Sequence, residues 1–374
     1  MKYYLIAGEA SGDLHGANLI QEIKKIDPSA KFRGWGGDKM VENGAELVVH
    51  YKKMAFMGLT EVLKNLRTIN KFLAQCKDDI IQYRPDKIIF IDYPGFNLKI
   101  AKFARQKNFQ THYYISPKLW AWNTKRVFKI KANIDQMLVI FPFEVEFYKQ
   151  YNIDVKYVGN PLLDELSSWN NTLSKTNVSK IKNTFNRPII SLLPGSRKQE
   201  IIAHSQILSQ LASIYPAYQF VLAGAPGIEN SFYENLMINK DVPIIFNNTY
   251  ALVKASEISI VASGTASLEV ALLKTPQVVV YKTSELFYQV GKRLVKVKFI
   301  SLVNLILQKS AVPEIIQKEF QLKRIKKELD MLIHSAHKRK SVENDYAKLH
   351  EILGNPGAST RAAKEIVNFG NIYV

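Results

Sequence analysis

Short apolar runs recur along this chain, each ending in a small-residue loop that leads into a segment with helical spacing. The runs fall at residues 3–7 (YYLIA), 88–91 (IIFI), 111–115 (THYYI), 137–140 (MLVI), 188–193 (PIISLL), 219–223 (QFVLA), 258–262 (ISIVA) and 277–281 (QVVVY). Runs this short, rich in β-branched and aromatic residues, suit strands buried on both faces. Strand, glycine loop and helix in alternation is the pattern of a doubly wound parallel sheet. It occurs on both sides of the polar stretch 167–182 (SSWNNTLSKTNVSKIK). The chain is therefore expected to be α/β, with two doubly wound, Rossmann-like domains facing a central cleft. The expected divisions are 1–166, a linker at 167–187, a second domain at 188–340, and a helical segment at 341–374. That last segment packs back on the first domain or on the partner chain of a homodimer.

A length of 374 residues accommodates two domains of ordinary size. The single cysteine, Cys76, excludes an internal disulfide and a zinc site built on cysteines. No uninterrupted apolar run approaches 18 residues, and no secretory leader precedes the first strand. A cytosolic location is expected. The net charge of +18 calls for an anionic partner, with the excess clustered at 118–131, 282–298 and 318–340. Nucleic acid is not expected, because there is no RNP-type aromatic motif, zinc-finger spacing or basic-region heptad.

Candidate chemistry gathers where strands end, since open parallel sheets bind ligands outside the carboxyl ends of their strands. Asp92 stands at the end of IIFI and is followed by Tyr-Pro-Gly. It is either a turn acid bonding nearby amides or a catalytic carboxylate. Residues 8–13 (GEASGD) lack a dinucleotide fingerprint. Glu9, Ser11 and Asp13 suit hydroxyl binding better than phosphate, or else they cap the following helix. In the second half, Gly195, Ser196 and Arg197, and then Gly264, Thr265 and Ala266, place amides and small residues at helix starts. Such starts bind phosphate through free N–H groups and the helix dipole, and arginine adds a bidentate grip. Glu269, one turn on, can take the two hydroxyls of a ribose. The pair of loops points to a nucleoside diphosphate. No cofactor is implied, and no metal site is expected, because the seven histidines are scattered and no Asp-x-Asp is present. Residues 56–73 combine Phe56, Met57 and Leu59 with an amphipathic basic helix, read either as core packing or as a contact with an anionic membrane interface.

The motifs GEASGD (8–13), FMGLTEVL (56–63), IDYPGFN (91–97), YYISPKLWAWNTKRVFKI (113–130), FPFEVEFY (141–148), LLPGSRKQEI (192–201), SGTASLE (263–269) and KRLVKVKFISLVNLI (292–306) occur in this order. The chain resembles the lipid-A-disaccharide synthases, membrane-associated glycosyltransferases with a GT-B-like fold. Two positions depart from the family pattern: Gly95 stands where a second acid is usual, and Val303 where a proline is usual. The resemblance implies an inverting transfer from UDP-2,3-diacylglucosamine to 2,3-diacylglucosamine 1-phosphate, giving a β-1,6 disaccharide 1-phosphate and UDP. It implies Asp92 as the base, supported by Glu9. It places Ser11, Gly12, Asp13, Met57, Gly58, Trp120 and Arg126 on the acceptor side, with Lys118 nearby. It assigns the nucleotide to Gly195, Ser196, Arg197, Gly264, Thr265, Ala266, Glu269, Asn304 and Gln317. It also implies a peripheral position at the inner membrane on an anionic surface. The alternatives are another GT-B transferase, a UDP-sugar epimerase, or an inactive nucleotide- or lipid-binding protein.

Overall fold

The apolar runs become the central strands of two sheets. A computed structural model of the chain describes residues 1–54, 66–172, 174–236, 241–295 and 297–370. The chain forms two units, one of residues 1–164 with 355–374, the other of residues 165–354.

The first unit holds seven parallel strands in the order β3-β2-β1-β4-β5-β6-β7. They are β1 (Lys2–Ala7), β2 (Lys31–Gly36), β3 (Ala45–His50), β4 (Lys87–Ile91), β5 (Gln110–Tyr114), β6 (Gln136–Val139) and β7 (Lys156–Tyr157). All five residues of β4 are buried, the four from Ile88 to Ile91 as their continuous apolar run requires. The strand order reverses between β1 and β4, which pair in parallel from Tyr3↔Lys87 to Ala7↔Ile91. That reversal is the topological switch point, where doubly wound sheets open a crevice at their carboxyl edge.

The second unit holds six parallel strands in the order β10-β9-β8-β11-β12-β13. They are β8 (Ile189–Leu193), β9 (Gln219–Gly224), β10 (Ile244–Phe246), β11 (Ile258–Ala262), β12 (Gln277–Tyr281) and β13 (Glu314–Ile316). Its switch point lies between β8 and β11. The loops read as anion sites, after β8 and after β11, therefore flank one crevice of one sheet.

Two expectations about organisation are corrected. The stretch 167–187 is not an extended linker, because the helices Pro161–Thr172 and Ser174–Thr184 occupy most of it. Leu163, Leu166 and Ile181 are buried and anchor these helices. The Ser- and Asn-rich composition belongs to their solvent faces. The segment 341–374 is likewise divided. The helix Ala336–Leu353 stays in the second unit, where Tyr346 Oη accepts from Gln277 Nε2 at 3.0 Å and Lys309 pairs with Asp345 at 2.5 Å. Only the helix Ala358–Asn368 belongs to the first unit. Asp164 caps it, accepting from the amides of Gly357, Ala358 and Ser359. At its other end the buried Lys87 ammonium donates to the carbonyls of Ile366, Val367 and Phe369 at 2.6, 3.1 and 2.8 Å.

Among the described residues, no helix is long and apolar enough to cross a membrane. Residues 66–83 form the helix Leu66–Tyr83. Met57, Gly58 and most of the segment read as a membrane contact lie outside the described residues.

Candidate active site

In the first unit the residues after β1 and β4 meet at the switch point. Glu9 sits at the N-cap of the helix Ala10–Ile26 in extended conformation and is half-buried. Asp92 follows β4 directly and is also half-buried. Its backbone is held three ways. Its amide donates to Tyr114 O at 3.2 Å, and its carbonyl accepts from Tyr113 Oη at 2.5 Å and Asn97 Nδ2 at 2.7 Å. The carboxyl is left out of this network. Burial, and then the charge of Glu9, push its pKa up to about 6, while the Lys118 cation and the Tyr93 amide pull it down. A carboxylate poised this way changes protonation near neutral pH, which suits a general base.

The loop after β5 supplies the next wall. Ser116 is buried and shares a 2.7 Å hydrogen bond with Tyr148 Oη. Trp120 packs edge-on to Phe143 and donates through Nε1 to Glu144 Oε1 at 3.3 Å. Glu144 is a feature the sequence reading passed over. Buried, it accepts the amides of Ile140 and Phe141, and burial raises its pKa to about 7. It ties the Trp120 loop to the helix Pro142–Lys149. Arg126 stacks over the exposed Trp122 ring at 5.4 Å. Lys118 is exposed.

Not every expected residue reaches the site with a free functional group. Ser11 is exposed in the first turn after β1, and Gly12 is buried where a Cβ would lie 3.2 Å from that of Ala7. Asp13 is engaged by backbone amides. Its carboxylate accepts the amides of Gly37, Lys39 and Met40 at 2.7, 3.1 and 3.1 Å, capping the helix Asp38–Glu42.

The second unit carries two loops at its switch point. After β8, Gly195 adopts φ +126°, a conformation that favours glycine, and Ser196 and Arg197 are exposed. The amides of Ser196 and Arg197 are already engaged by Glu200 Oε2, at 3.2 and 3.4 Å. The side-chain end of Arg197 meets Glu200 only at 3.8 Å, so its guanidinium stays available to an anion. His204 braces this loop: Nδ1 lies 2.7 Å from Pro194 O, and Nε2 accepts the Lys282 amide at 3.0 Å. These two partners fix the neutral tautomer with the proton on Nδ1. Burial lowers its pKa, in keeping with that neutral form.

After β11, Gly264 stands at the N-cap of the helix Thr265–Leu272 with no side-chain cap, and open space surrounds its Cα. Thr265 is exposed and Ala266 half-buried beside it. Glu269 lies one turn in, half-buried, and burial with the nearby Glu165 pushes its pKa up to about 7. Glu165 in turn accepts from Tyr250 Oη at 2.9 Å. Nothing in the sequence pattern marked Glu165 or Tyr250.

Asn304 and Gln317, expected at the nucleotide, have their side-chain groups engaged within the protein. Asn304 is fully buried, its Nδ2 donating to Val312 O and Glu314 Oε1, its Oδ1 accepting the amides of Ala311 and Val312, all within 2.8–2.9 Å. Gln317 accepts the Thr283 amide at 3.0 Å and returns a 2.7 Å bond to the Thr283 carbonyl. Both side chains hold loops at the wall of a cavity that Tyr288, Glu314 and Arg324 also line.

Two doubly wound domains, each with its candidate ligand loops at a switch point, define the GT-B architecture of nucleotide-sugar enzymes. Solved structures share it. UDP-GlcNAc 2-epimerase from Neisseria meningitidis, bound to UDP-GlcNAc, matches 98% of this chain and 99% of its own with a TM-score of 0.60 at 15% identity. The calicheamicin glycosyltransferase CalG4 matches 100% and 99% with a TM-score of 0.60 at 12% identity. Sequence relationships are narrower. Residues 3–367 match the lipid-A-disaccharide synthetase family. Lipid-A-disaccharide synthase of Syntrophus aciditrophicus is 38% identical over 369 residues, covering 96% of this chain and 95% of that protein. The enzyme of the same name from Coxiella burnetii is 34% identical over 371 residues, covering 97% of each. The chain belongs to the lipid-A-disaccharide synthetase family, glycosyltransferases of lipid A biosynthesis.

Proposed function

We propose that the chain joins UDP-2,3-diacylglucosamine to 2,3-diacylglucosamine 1-phosphate, inverting the anomeric centre. The acceptor 6-hydroxyl gives its proton to Asp92 as its oxygen bonds to the anomeric carbon. The bond from that carbon to the diphosphate breaks, and UDP leaves with the electron pair. The products are the β-1,6 disaccharide 1-phosphate and UDP. Inversion needs only one base and stabilisation of the leaving diphosphate.

The observation that carries this reading is Asp92 at the end of β4, with a fixed backbone, a carboxyl that accepts from the Tyr93 amide, and a pKa raised to about 6. Glu9, Ser11, Trp120, Arg126 and Lys118 line the acceptor side in this reading. Arg197 and the free amides at Thr265 and Ala266 take the diphosphate, and Glu269 takes the ribose. Charge on the leaving group is met by arginine and helix dipoles, and the reaction is metal-independent. The net charge of +18 and the acylated substrates support a position at an anionic membrane surface.

The test is turnover of purified protein in detergent and chelator with both lipid substrates, scored for disaccharide and UDP, beside Asp92→Asn. Wild type is expected to make both products. The variant should lose a few orders of magnitude in turnover, about the 10²–10⁴ expected of a lost base, with UDP affinity kept. Folded wild-type protein that makes no disaccharide overturns the reaction. An Asp92→Asn variant with undiminished turnover returns Asp92 to a turn acid.

A further inference from the structure

Asp92 and Tyr93 are consecutive non-glycine residues in the left-handed region, with φ of +44° and +48°. That conformation is unfavourable for a residue with a Cβ, so the surroundings must enforce it. Three hydrogen bonds fix the backbone of Asp92, as described. Tyr93 is enforced by its side chain. Its ring lies so close to Gly8 that a Cβ on Gly8 would stand 2.2–2.5 Å from three ring carbons. Its hydroxyl donates to Met54 O at 3.0 Å. The ring also leans on Phe96 at 6.0 Å, and Phe96 packs on the buried Trp35 at 5.4 Å. Pro94 follows and disfavours the right-handed helical conformation at Tyr93, closing one route of relaxation.

We propose that Tyr93 is a positioning residue for Asp92: wedged over Gly8 and tied to Met54, it holds the left-handed turn that sets the carboxylate beside Glu9 and Lys118. The inference rests on the reading of Asp92 as the base. It adds that the missing side chain at Gly8 and the aromatic ring at Tyr93 act as one device. The charged and titratable groups facing Asp92 are Glu9 from the loop after β1 and Lys118 from the loop after β5, with the Tyr113 hydroxyl on its carbonyl. Tyr93 carries no charge to this site, so its influence runs through geometry and the exclusion of water.

The experiment compares wild type with Tyr93→Phe, Tyr93→Ala, Gly8→Ala, Gly8→Ala/Tyr93→Ala and Asp92→Asn. It measures kcat, KM, UDP affinity by calorimetry, and the pH profile of turnover. A misplacement of about 1 Å costs around 10²-fold in rate. Tyr93→Ala is thus expected to lose about 10–100-fold in kcat with UDP affinity unchanged, and the acid limb of its pH profile should move down as water reaches the carboxylate. Tyr93→Phe keeps the ring and should lose less, about 3–10-fold. It carries the test if the alanine variant does not fold. Gly8→Ala should lose turnover as Tyr93→Ala does, and the double variant should be no worse than Tyr93→Ala alone. Wild-type kcat and an unmoved acid limb in both Tyr93 variants, with Asp92→Asn inactive, would overturn the positioning role and leave the base in place. Undiminished turnover in Asp92→Asn would remove both.

Discussion

The carboxylate of Glu200 accepts the backbone amide of Ser196 at 3.2 Å, in the loop whose free amides would otherwise serve a phosphate. The loop after β8, proposed to take the diphosphate, thus already holds a carboxylate of the chain itself. A diphosphate arriving there competes with Glu200 or binds through the Arg197 guanidinium beyond it. Arg197→Ala is expected to weaken UDP binding by about 10–100-fold, the scale of one charge-assisted contact. Glu200→Gln keeps the cap and removes the competing charge, so UDP should bind more tightly. Calorimetry on the two variants checks both directions. Unchanged affinity in Arg197→Ala would remove the diphosphate from this loop.

The pH dependence follows from the two raised carboxyls. Asp92 works as a base only when ionised, so turnover should rise with pH through about 6 and level above it. Glu269 accepts hydroxyl hydrogens best when ionised, and its pKa is raised to about 7. UDP affinity should therefore fall as pH drops through about 7, separately from the turnover limb. Measuring kcat and UDP affinity from pH 5 to 8.5 resolves the two. Glu165→Gln should lower the pH of the affinity limb by removing the neighbouring charge. An affinity that does not respond to pH would take Glu269 out of the nucleotide site.

What the sequence made legible was the set of strand ends. The runs at β1, β4, β8 and β11 are buried on both faces, so they read as nearly continuous apolar runs, Ser191 and Ser259 being paired with each other inside β8 and β11, and their ends are sharp. Glu9, Asp92, Arg197 and Thr265 all follow such ends. Edge strand β3 was missed because its AELVVH is only partly buried and interrupted by Glu46. The helices at 161–184 were missed because few residues anchor them, and their polar faces read as linker. Polar side chains in loops were the least legible. Asn304, Gln317 and Asp13 look from sequence like ligands, yet backbone groups occupy them. A saturated amide and a waiting one have the same letter. Glu200 had a readable signal in its spacing, three residues after the helix N-cap, as in a capping box.

Asn304 separates the two roles experimentally. As a buried residue with four hydrogen bonds to neighbouring loops, its replacement by Ala should cost about 2–4 kcal/mol of stability, from unsatisfied amides at Ala311 and Val312 and the lost bond to Glu314. Denaturant unfolding should show this, while UDP affinity of the folded fraction changes little. A stable Asn304→Ala variant that has lost UDP binding would restore Asn304 as a ligand.

Lys87 sets the last expectation. Its ammonium is buried at the start of β4 and donates to three carbonyls at the end of the helix Ala358–Asn368, while Asp164 caps the helix at its start. A cation at a helix C-terminus also meets the negative end of the dipole. The tail is thereby fastened to the same strand that ends in Asp92. Lys87→Met keeps the length and apolar stem but leaves those carbonyls without a donor. Charge-assisted hydrogen bonds contribute about 1.5–3 kcal/mol each, so a net loss of about 2–4 kcal/mol is expected after the methionine regains apolar contact. Hydrogen exchange should rise over residues 358–368 and stay protected in β8 and β11 of the other unit. Equal exchange in wild type and Lys87→Met would show that the tail is held by its apolar face, through Ala362, Ala363 and Ile366, and not by the lysine.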